Sequence, residues 1–269
     1  MHMHSIFSDG ELDVKELVNR IKEKDLSLAI LTDHDSFGGS KEFIQELKKE
    51  GIKSYPCCEL TTYRNNEPIH ILAFYKSYES IGKDMFDYLD NMQKSRYERM
   101  KKMTDNMNEL YGLGLDFDNI INKHKNTLSR PHLADEIALK TGLPIRVIFE
   151  KYIGDDCPGY IPSTLFKTED GINLIHKTGG YAILAHPYLY KKNQFLDLMN
   201  LPFDGVEVFY SPSPVKKYKK VLKYALKHNL LITGGSDYHR DIDQEKHEFI
   251  GTSIISDEYI LKFIDFMEK

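Results

Sequence analysis

Along the first eighty residues, apolar positions alternate between two rhythms. Leu12, Val14, Leu17, Val18 and Ile21 recur close to the helical period and predict a helix over 11–24, whereas Leu26-Ser-Leu-Ala-Ile-Leu-Thr32 is a short, nearly unbroken run that reads as a buried strand. A second helix is predicted over 41–50, closed by Gly51, with strands at 52–55 and 69–75. This βαβα order is that of a parallel sheet or barrel. From Lys83 the rhythm changes, and Met85, Leu89, Met92, Met100, Met103, Met107 and Leu110 return at three- and four-residue steps over one long helix. Such a Met stripe reads as a helix core rather than a cofactor box. Helices follow at 118–124 and 131–141, then a loop holding Gly154, Pro158, Gly159 and Pro162. The alternation resumes with helices at 169–178 and 215–228 and strands at 181–185, 205–210 and 230–233. The pattern therefore predicts an α/β domain built from residues 1–80 and 163–269, with residues 81–162 inserted as a small helical domain.

Titratable residues gather where these apolar runs stop. Thr32-Asp33-His34-Asp35 follows the first run, His186-Pro187 ends Ala182-Ile-Leu-Ala, and Asp237-Tyr-His239 follows Leu230-Leu-Ile-Thr-Gly-Gly-Ser. In a parallel barrel such strand ends form the mouth, where active sites are built. His2-Met3-His4 presents two imidazoles to one side of an extended chain, and Asp9 follows inside Ser8-Asp9-Gly10, by itself an ordinary turn. Glu59 comes directly after the run ending at Cys58, at or near a strand end, where a carboxylate can bridge two cations. In the second cluster the expected ligand is His34. Asp33 and Asp35 read as carboxylates that hold a ligand imidazole, or, for Asp35-Ser36, as a helix cap. Cys58 reads as a small buried apolar residue, and His70, inside an apolar run, as a satisfied core histidine. Histidine and carboxylate donors without paired thiolates suit Mn, Fe or Zn. Close cations acidify a bridging water and clamp the attacking and leaving oxygens of a phosphoryl transfer. Arg130 carries a planar donor fork that suits phosphate, although taken alone a surface salt bridge is the simpler reading.

Composition narrows the function classes. With 36 basic and 41 acidic side chains the net charge is −5, which argues against stable binding of duplex nucleic acid. The longest apolar runs, at 182–185 and 205–210, are too short to cross a bilayer, so no membrane partner is expected. Cys57, Cys58 and Cys157 are odd in number and lack CxxC spacing, and no signal peptide is visible, so a reducing cytoplasm is the expected location. No phosphate-cradling GxxxxGK[ST] loop, dinucleotide loop or GxSxG elbow occurs.

Taken in order, the motifs resemble the PHP family, the polymerase and histidinol phosphatase domains. His2-Met-His4-Ser-Ile-Phe-Ser-Asp9-Gly is similar to its opening motif and Leu31-Thr-Asp-His-Asp35 to its second; Ala185-His-Pro187 and Gly234-Gly-Ser-Asp-Tyr-His239 are similar to the later ones. Arg130-Pro131-His132 resembles the stand-alone phosphoesterases of that family that carry a helical insertion. The resemblance implies a distorted (β/α)7 TIM-like barrel holding two or three divalent metal ions, Mn, Fe or Zn. Motif by motif, it implies that His2, His4, Glu59 and Asp237 hold one metal, Glu59, His70 and His186 a second, and Asp9, His34 and His239 a third, with Arg130 and His132 facing the substrate phosphate. Asp9, His34, His239 and Arg130 would then be the catalytic residues. Relatives have a full strand before the first histidine, whereas only Met1 precedes His2, so the first strand is expected to be clipped or to begin upstream. Relatives are also basic after the turn that Tyr160-Ile-Pro162 forms, but Ser163 stands here, which weakens the expectation of a second phosphate-binding cation. The implied activity is hydrolysis of a small phosphomonoester through a metal-activated hydroxide. The expected substrate is a nucleotide such as a nucleoside 3',5'-bisphosphate, or the end of a short oligonucleotide. Rival readings are a histidinol phosphate phosphatase and a non-catalytic metal or nucleotide binding module.

Overall fold

The computed structural model describes the chain apart from residues 124–126, 163–165, 211–214, 242–248 and 254 and the side chains of 215–217. The expected helix end at His124 and the departure at Ser163 lie outside the described residues. Helices follow in chain order as α1 (Val14–Lys22), α2 (Ser40–Lys49), α3 (Lys83–Tyr111), α4 (Phe117–Lys123), α5 (Arg130–Thr141), α6 (Ile145–Ile148), α7 (Thr168–Lys177), α8 (Phe195–Leu198), α9 (Val215–Lys227) and α10 (Asp257–Glu268). The chain divides into two compact units, one of Met1–Asp87 with Leu165–Lys269 and one of Tyr88–Thr164.

The first unit is a mixed α/β fold. Its strands β1 (Cys57–Arg64), β2 (Glu67–Phe74), β3 (Tyr181–Leu184), β4 (Gly205–Tyr210) and β5 (Leu231–Gly235) lie side by side in that order. The expectation of parallel pairing holds for β3–β4–β5 and fails for β1–β2–β3, which pair antiparallel. The reason is the connection between β1 and β2. Only Asn65 and Asn66 separate them, at φ 50° and 56°, the left-handed pair of a tight hairpin, whereas a parallel return needs a crossover of about a dozen residues.

Two extended segments flank the sheet. Of the run at 26–32, residues 28–32 are buried as their composition dictates, yet the run forms no continuous strand; Leu28 makes an isolated parallel bridge with Lys53, and His34 one with Glu59. The segment at 52–55 likewise has a bridge in place of the expected strand. Met3 bridges Tyr238, the Thr32 N–H donates to the Met3 carbonyl at 3.0 Å, and the Asp237 N–H donates to the His2 carbonyl at 3.0 Å. Residues 2–4 are thus held between the chain just beyond β5 and the 28–34 segment, which in turn lies against β1.

Amphipathic helices cover this framework. Asp13 caps α1 in a reciprocal pair with Glu16, so the helix begins where two of its otherwise unpartnered N–H groups are satisfied. Its buried Val14, Leu17, Val18 and Ile21 pack with Phe43 and Leu47 of α2 in a cluster that also holds Met3, Leu31 and Tyr238. A second cluster gathers Ile30, Leu72, Phe74 and Ile183 with Phe263 and Met267 of α10.

The second unit is helical. Met100, Met103 and Met107 of α3 are buried in one cluster with Leu133 and Ile137 of α5 and with Ile148 and Ile153. Leu110 is 51% exposed, so the apolar stripe stops at Met107. The sequence pattern did not foresee α6, α8, α10 or the π-helical turn over Phe149–Ile153. Among the described residues no helix is long and apolar enough to cross a membrane.

Candidate metal centre

Glu59, the third residue of β1, is 1% exposed and stands among five imidazoles. Its Oε2 lies 3.0 Å from Nε2 of both His2 and His4 and 3.4 Å from Nδ1 of His34. Its Oε1 lies 2.9 Å from His70 Nδ1 and 2.9 Å from His186 Nε2. The N-terminal segment, the end of the 28–34 segment, β2 and the residue after Ala185 each deliver part of this set. Asp237 Oδ1 is 3.2 Å from His2 Nε2 and 3.1 Å from His4 Nε2, while Asp9 Oδ1 is 3.3 Å from His239 Nε2.

Among the described residues, three groups have donor atoms close enough together to share an ion: His2, His4, Glu59 and Asp237; His4, Asp9, His34 and His239; and His34, Glu59 and His70. His186 adjoins the last, its Nε2 3.3 Å from His70 Nδ1. All nine residues expected from sequence to hold metal are therefore neighbours. The grouping differs in detail, since His4 stands in two groups and His34 reaches Glu59. His70 is half-buried and faces Glu59 rather than a core partner.

The backbone is bent to make this possible. Asp35, His186 and Asp237, all at the ends of apolar runs, have φ of 48°, 26° and 53°, in the left-handed region that costs a non-glycine residue energy and is held by its surroundings. Gly235 answers a different need from the sharp turn its sequence suggests. A Cβ there would lie 2.3 Å from His2 Cβ, so only glycine lets the N-terminal segment approach β5.

A second set of groups holds the imidazoles and turns, and here the sequence reading missed a residue. Glu207, in the middle of β4 and fully buried, lies 3.0 and 3.2 Å from His2 Nδ1 and accepts the His186 backbone N–H at 2.7 Å. It does for His2 what was expected of Asp33. Asp33 instead accepts the Ser5 N–H at 2.8 Å and the Ser5 and Ser8 hydroxyls at 2.7 Å, fixing the turn that leads to Asp9. Asp35 accepts the Thr61 N–H at 2.7 Å, and the Tyr210 hydroxyl donates to Asp237 Oδ2 at 3.3 Å.

The donor chemistry fits divalent ions. With the His2 Nδ1 proton directed at Glu207, its Nε2 faces Glu59 and Asp237 oxygens at 3.0 and 3.2 Å, so either a second proton or a shared cation stands between them. Burial opposes charge on His2 and His4, but the carboxylates outweigh it. Glu207, Asp237 and Glu59 raise His2 well above the ordinary histidine value, and Asp237 with Glu59 raises His4 to about 10. Burial lowers His34 to about 4 against the pull of Glu59 and Asp9, so its lone pair is free to ligate. Burial would raise Asp9 and Glu59, yet the surrounding imidazoles hold both carboxyls well below the usual range. Among the described residues, Asp9 Oδ1, His34 Nδ1 and His186 Nδ1 are buried and make no well-aligned hydrogen bond, although Asp9 and His34 lie 3.3 and 3.4 Å from His239 and Glu59.

Arg130 and His132 belong to the second unit. Arg130 pairs with Asp155 at 2.6 Å and lies 5.4 Å over the Tyr160 ring. His132 is buried at the start of α5, where its Nδ1 accepts the Ser129 N–H at 3.3 Å.

Comparison with known proteins agrees with this architecture. Over 251 residues the chain is 28% identical to a 3',5'-nucleoside bisphosphate phosphatase from Chromobacterium violaceum, covering 89% of this chain and 86% of that protein. It is 25% identical over 250 residues to a 5'-3' exoribonuclease from Salmonella typhimurium, covering 89% and 84%. A crystal structure described as a metal-dependent phosphoesterase from Bifidobacterium adolescentis superposes with a TM-score of 0.85 at 23% identity, over 98% of this chain and 94% of that one, and so shares its fold. The PHP domain model matches residues 1–135, just over half of the 269, and the chain belongs to the PHP family.

Proposed function

We propose that this chain hydrolyses a phosphate ester of a nucleotide, either a nucleoside 3',5'-bisphosphate or the end of a short oligonucleotide. Family membership makes it a metal-dependent hydrolase of phosphoric esters. The observation that carries the reading is Glu59, a buried carboxylate whose two oxygens face five imidazoles in adjoining ion-sized groups. The nucleotide part of the proposal is supported by relatives named for a nucleoside bisphosphate and for RNA. The hydrogen-bonded closure of β1 through 28–34 and 2–4 onto the end of β5 supports reading the sheet as a distorted (β/α)7 barrel, with the helical unit as an insertion.

Divalent Mn, Fe or Zn, two or three in number, would supply acidified water and neutralise charge on the transferred phosphoryl group. The chain's own part begins with placing donors. His2, His4, Glu59 and Asp237 would hold one ion, Glu59, His70 and His186 a second, and Asp9, His34 and His239 a third. Glu207 orients His2 through Nδ1 and fixes the His186 backbone. Asp33 keeps the Ser5–Ser8 turn rigid and so keeps Asp9 in place. We assign Arg130 to the substrate phosphate, with His132 beside it in sequence; Arg130→Ala then lowers kcat/KM about tenfold or more while metal content stays constant.

The test pairs elemental analysis with phosphate release from a panel that includes adenosine 3',5'-bisphosphate, a short RNA and histidinol phosphate. Two or three equivalents of metal with turnover of the nucleotides are expected. Faster turnover of histidinol phosphate would overturn the substrate, and bound metal without turnover would leave a binding module.

A further inference from the structure

The helix α9, Val-Lys-Lys-Tyr-Lys-Lys-Val-Leu-Lys-Tyr-Ala-Leu-Lys, holds six lysines and no acidic residue in a chain whose net charge is −5. We infer that its outer face is a track for the sugar-phosphate backbone of a single-stranded oligonucleotide whose end enters the metal cluster. The inference rests on the nucleotide reading above and extends it to chain-length preference.

Lys219, Lys220, Lys223 and Lys227 are exposed. Steps of three, four and seven residues place them along one stripe, about 10 Å from Lys220 to Lys227. Among the described residues none of the four has a carboxylate partner, unlike the lysines of α3 and α10, where Lys83, Lys101 and Lys262 each pair with an acid four residues away. Three of the described acids are engaged elsewhere. Glu67 accepts the backbone N–H groups of Lys191, Lys192 and Asn193, Asp204 takes His176 and the Ala182 N–H, and Asp265 takes Lys269. Asp197 lies on α8, whose Phe195 ring meets Tyr224 of α9 at 5.2 Å. Four cations held together without counter-charge repel one another, a cost that a polyanion relieves.

The face also has a direction and a surface for bases. Tyr218, in the first turns of α9, packs on Phe209 at 5.5 Å, and the next residue of β4, Tyr210, donates to Asp237, so this end of α9 meets the strand that reaches the cluster. Farther along, the exposed His228 stacks on Tyr224 at 4.2 Å and 21°, while Tyr224 also meets Phe195 edge-on at 5.2 Å, so it is the His228 ring on which an unpaired base would rest. A membrane surface fits less well. On α9, Val221 and Ala225 are already buried, and the exposed Leu226, 48% accessible, is a single side chain rather than an apolar face to insert.

The experiment compares wild type with Lys219→Gln/Lys220→Gln/Lys223→Gln/Lys227→Gln, a change that preserves helix-forming residues. Substrates are a single-stranded RNA twelve-mer and adenosine 3',5'-bisphosphate, and binding of the labelled twelve-mer is followed by anisotropy in EDTA across a salt series. The expected result is a loss of about tenfold in kcat/KM and Kd for the twelve-mer, with a shallower salt slope, by about 0.7 for each phosphate contact removed. Turnover of adenosine 3',5'-bisphosphate should stay within about twofold, since α9 contributes none of the cluster residues. Equal rates for the two proteins on the twelve-mer, or an equal loss on both substrates, would overturn the track. If neither substrate is hydrolysed by wild type, the functional reading fails on its own and the anisotropy decides: salt-sensitive binding lost in the variant supports the track. No binding, or binding only to anionic phosphatidylglycerol vesicles, rejects it.

Discussion

The two units bury different things. In the helical unit the core is Met100, Met103, Met107, Leu133, Ile137, Ile148 and Ile153, side chains that need only apolar company. In the α/β unit an equally buried interior contains His2, His4, Asp33, Glu59, Glu207 and Asp237. Burying such groups costs several kcal/mol each unless they are paired or bind ions, so the second interior is stable only as a connected set. The contrast teaches that volume decides tolerance in one unit and connectivity in the other.

Substitutions can break or sharpen that contrast. The largest effect is expected from Glu59→Gln, which removes the charge shared by the imidazole groups. Loss of about 4 kcal/mol of transition-state stabilisation, roughly a thousandfold in kcat/KM, should accompany lower metal content in elemental analysis, with the circular dichroism spectrum kept. Full metal content in this variant would mean that the interior is not connected as described. Next comes Met103→Ala, a change of volume alone in the helical unit. It should destabilise by about 3 kcal/mol in denaturant titration and leave metal stoichiometry at the wild-type value. A smaller effect is expected for Glu207→Gln, which weakens the acceptor on His2 Nδ1. Metal affinity, measured by competition with a chromophoric chelator, should fall about 10- to 100-fold while the fold persists.

The same contrast governs what the sequence made legible. Helices α1, α2, α7 and α9 were visible because each lays a single apolar stripe on its neighbours, and the interval of the stripe survives in the order of residues. The ligand clusters were visible because histidines at the ends of apolar runs have few structural reasons to be there. Glu207 was not, since a lone carboxylate between Val206 and Val208 reads as the outward residue of an alternating strand; only the approach of His2, more than two hundred residues away, explains its burial. The antiparallel hairpin was missed although Asn65-Asn66 carries the turn chemistry, because the run before it was read as ending at Cys58, so β1 was cut short. Helix α10 was missed despite the helical spacing of Ile260, Phe263, Ile264 and Met267, a signal that lay in the sequence unused. Arg130 shows the opposite limit. Its motif names a role, while the side chain pairs with Asp155, and kinetics must decide between them.

The segment of residues 2–4, held between Thr32 and Tyr238, also has a consequence for how the protein is made. His2 and His4 are synthesised more than two hundred residues before Asp237 and His239, which they meet in the fold. The nascent chain must therefore keep two imidazoles and their backbone edge unsatisfied until that later stretch is made, and the closing loop is long enough to be a slow, high-contact-order step. Assembly of the His2–His4–Glu59–Asp237 group thus waits until synthesis has passed residue 237, and a ribosome that stalls earlier releases a chain that cannot form it.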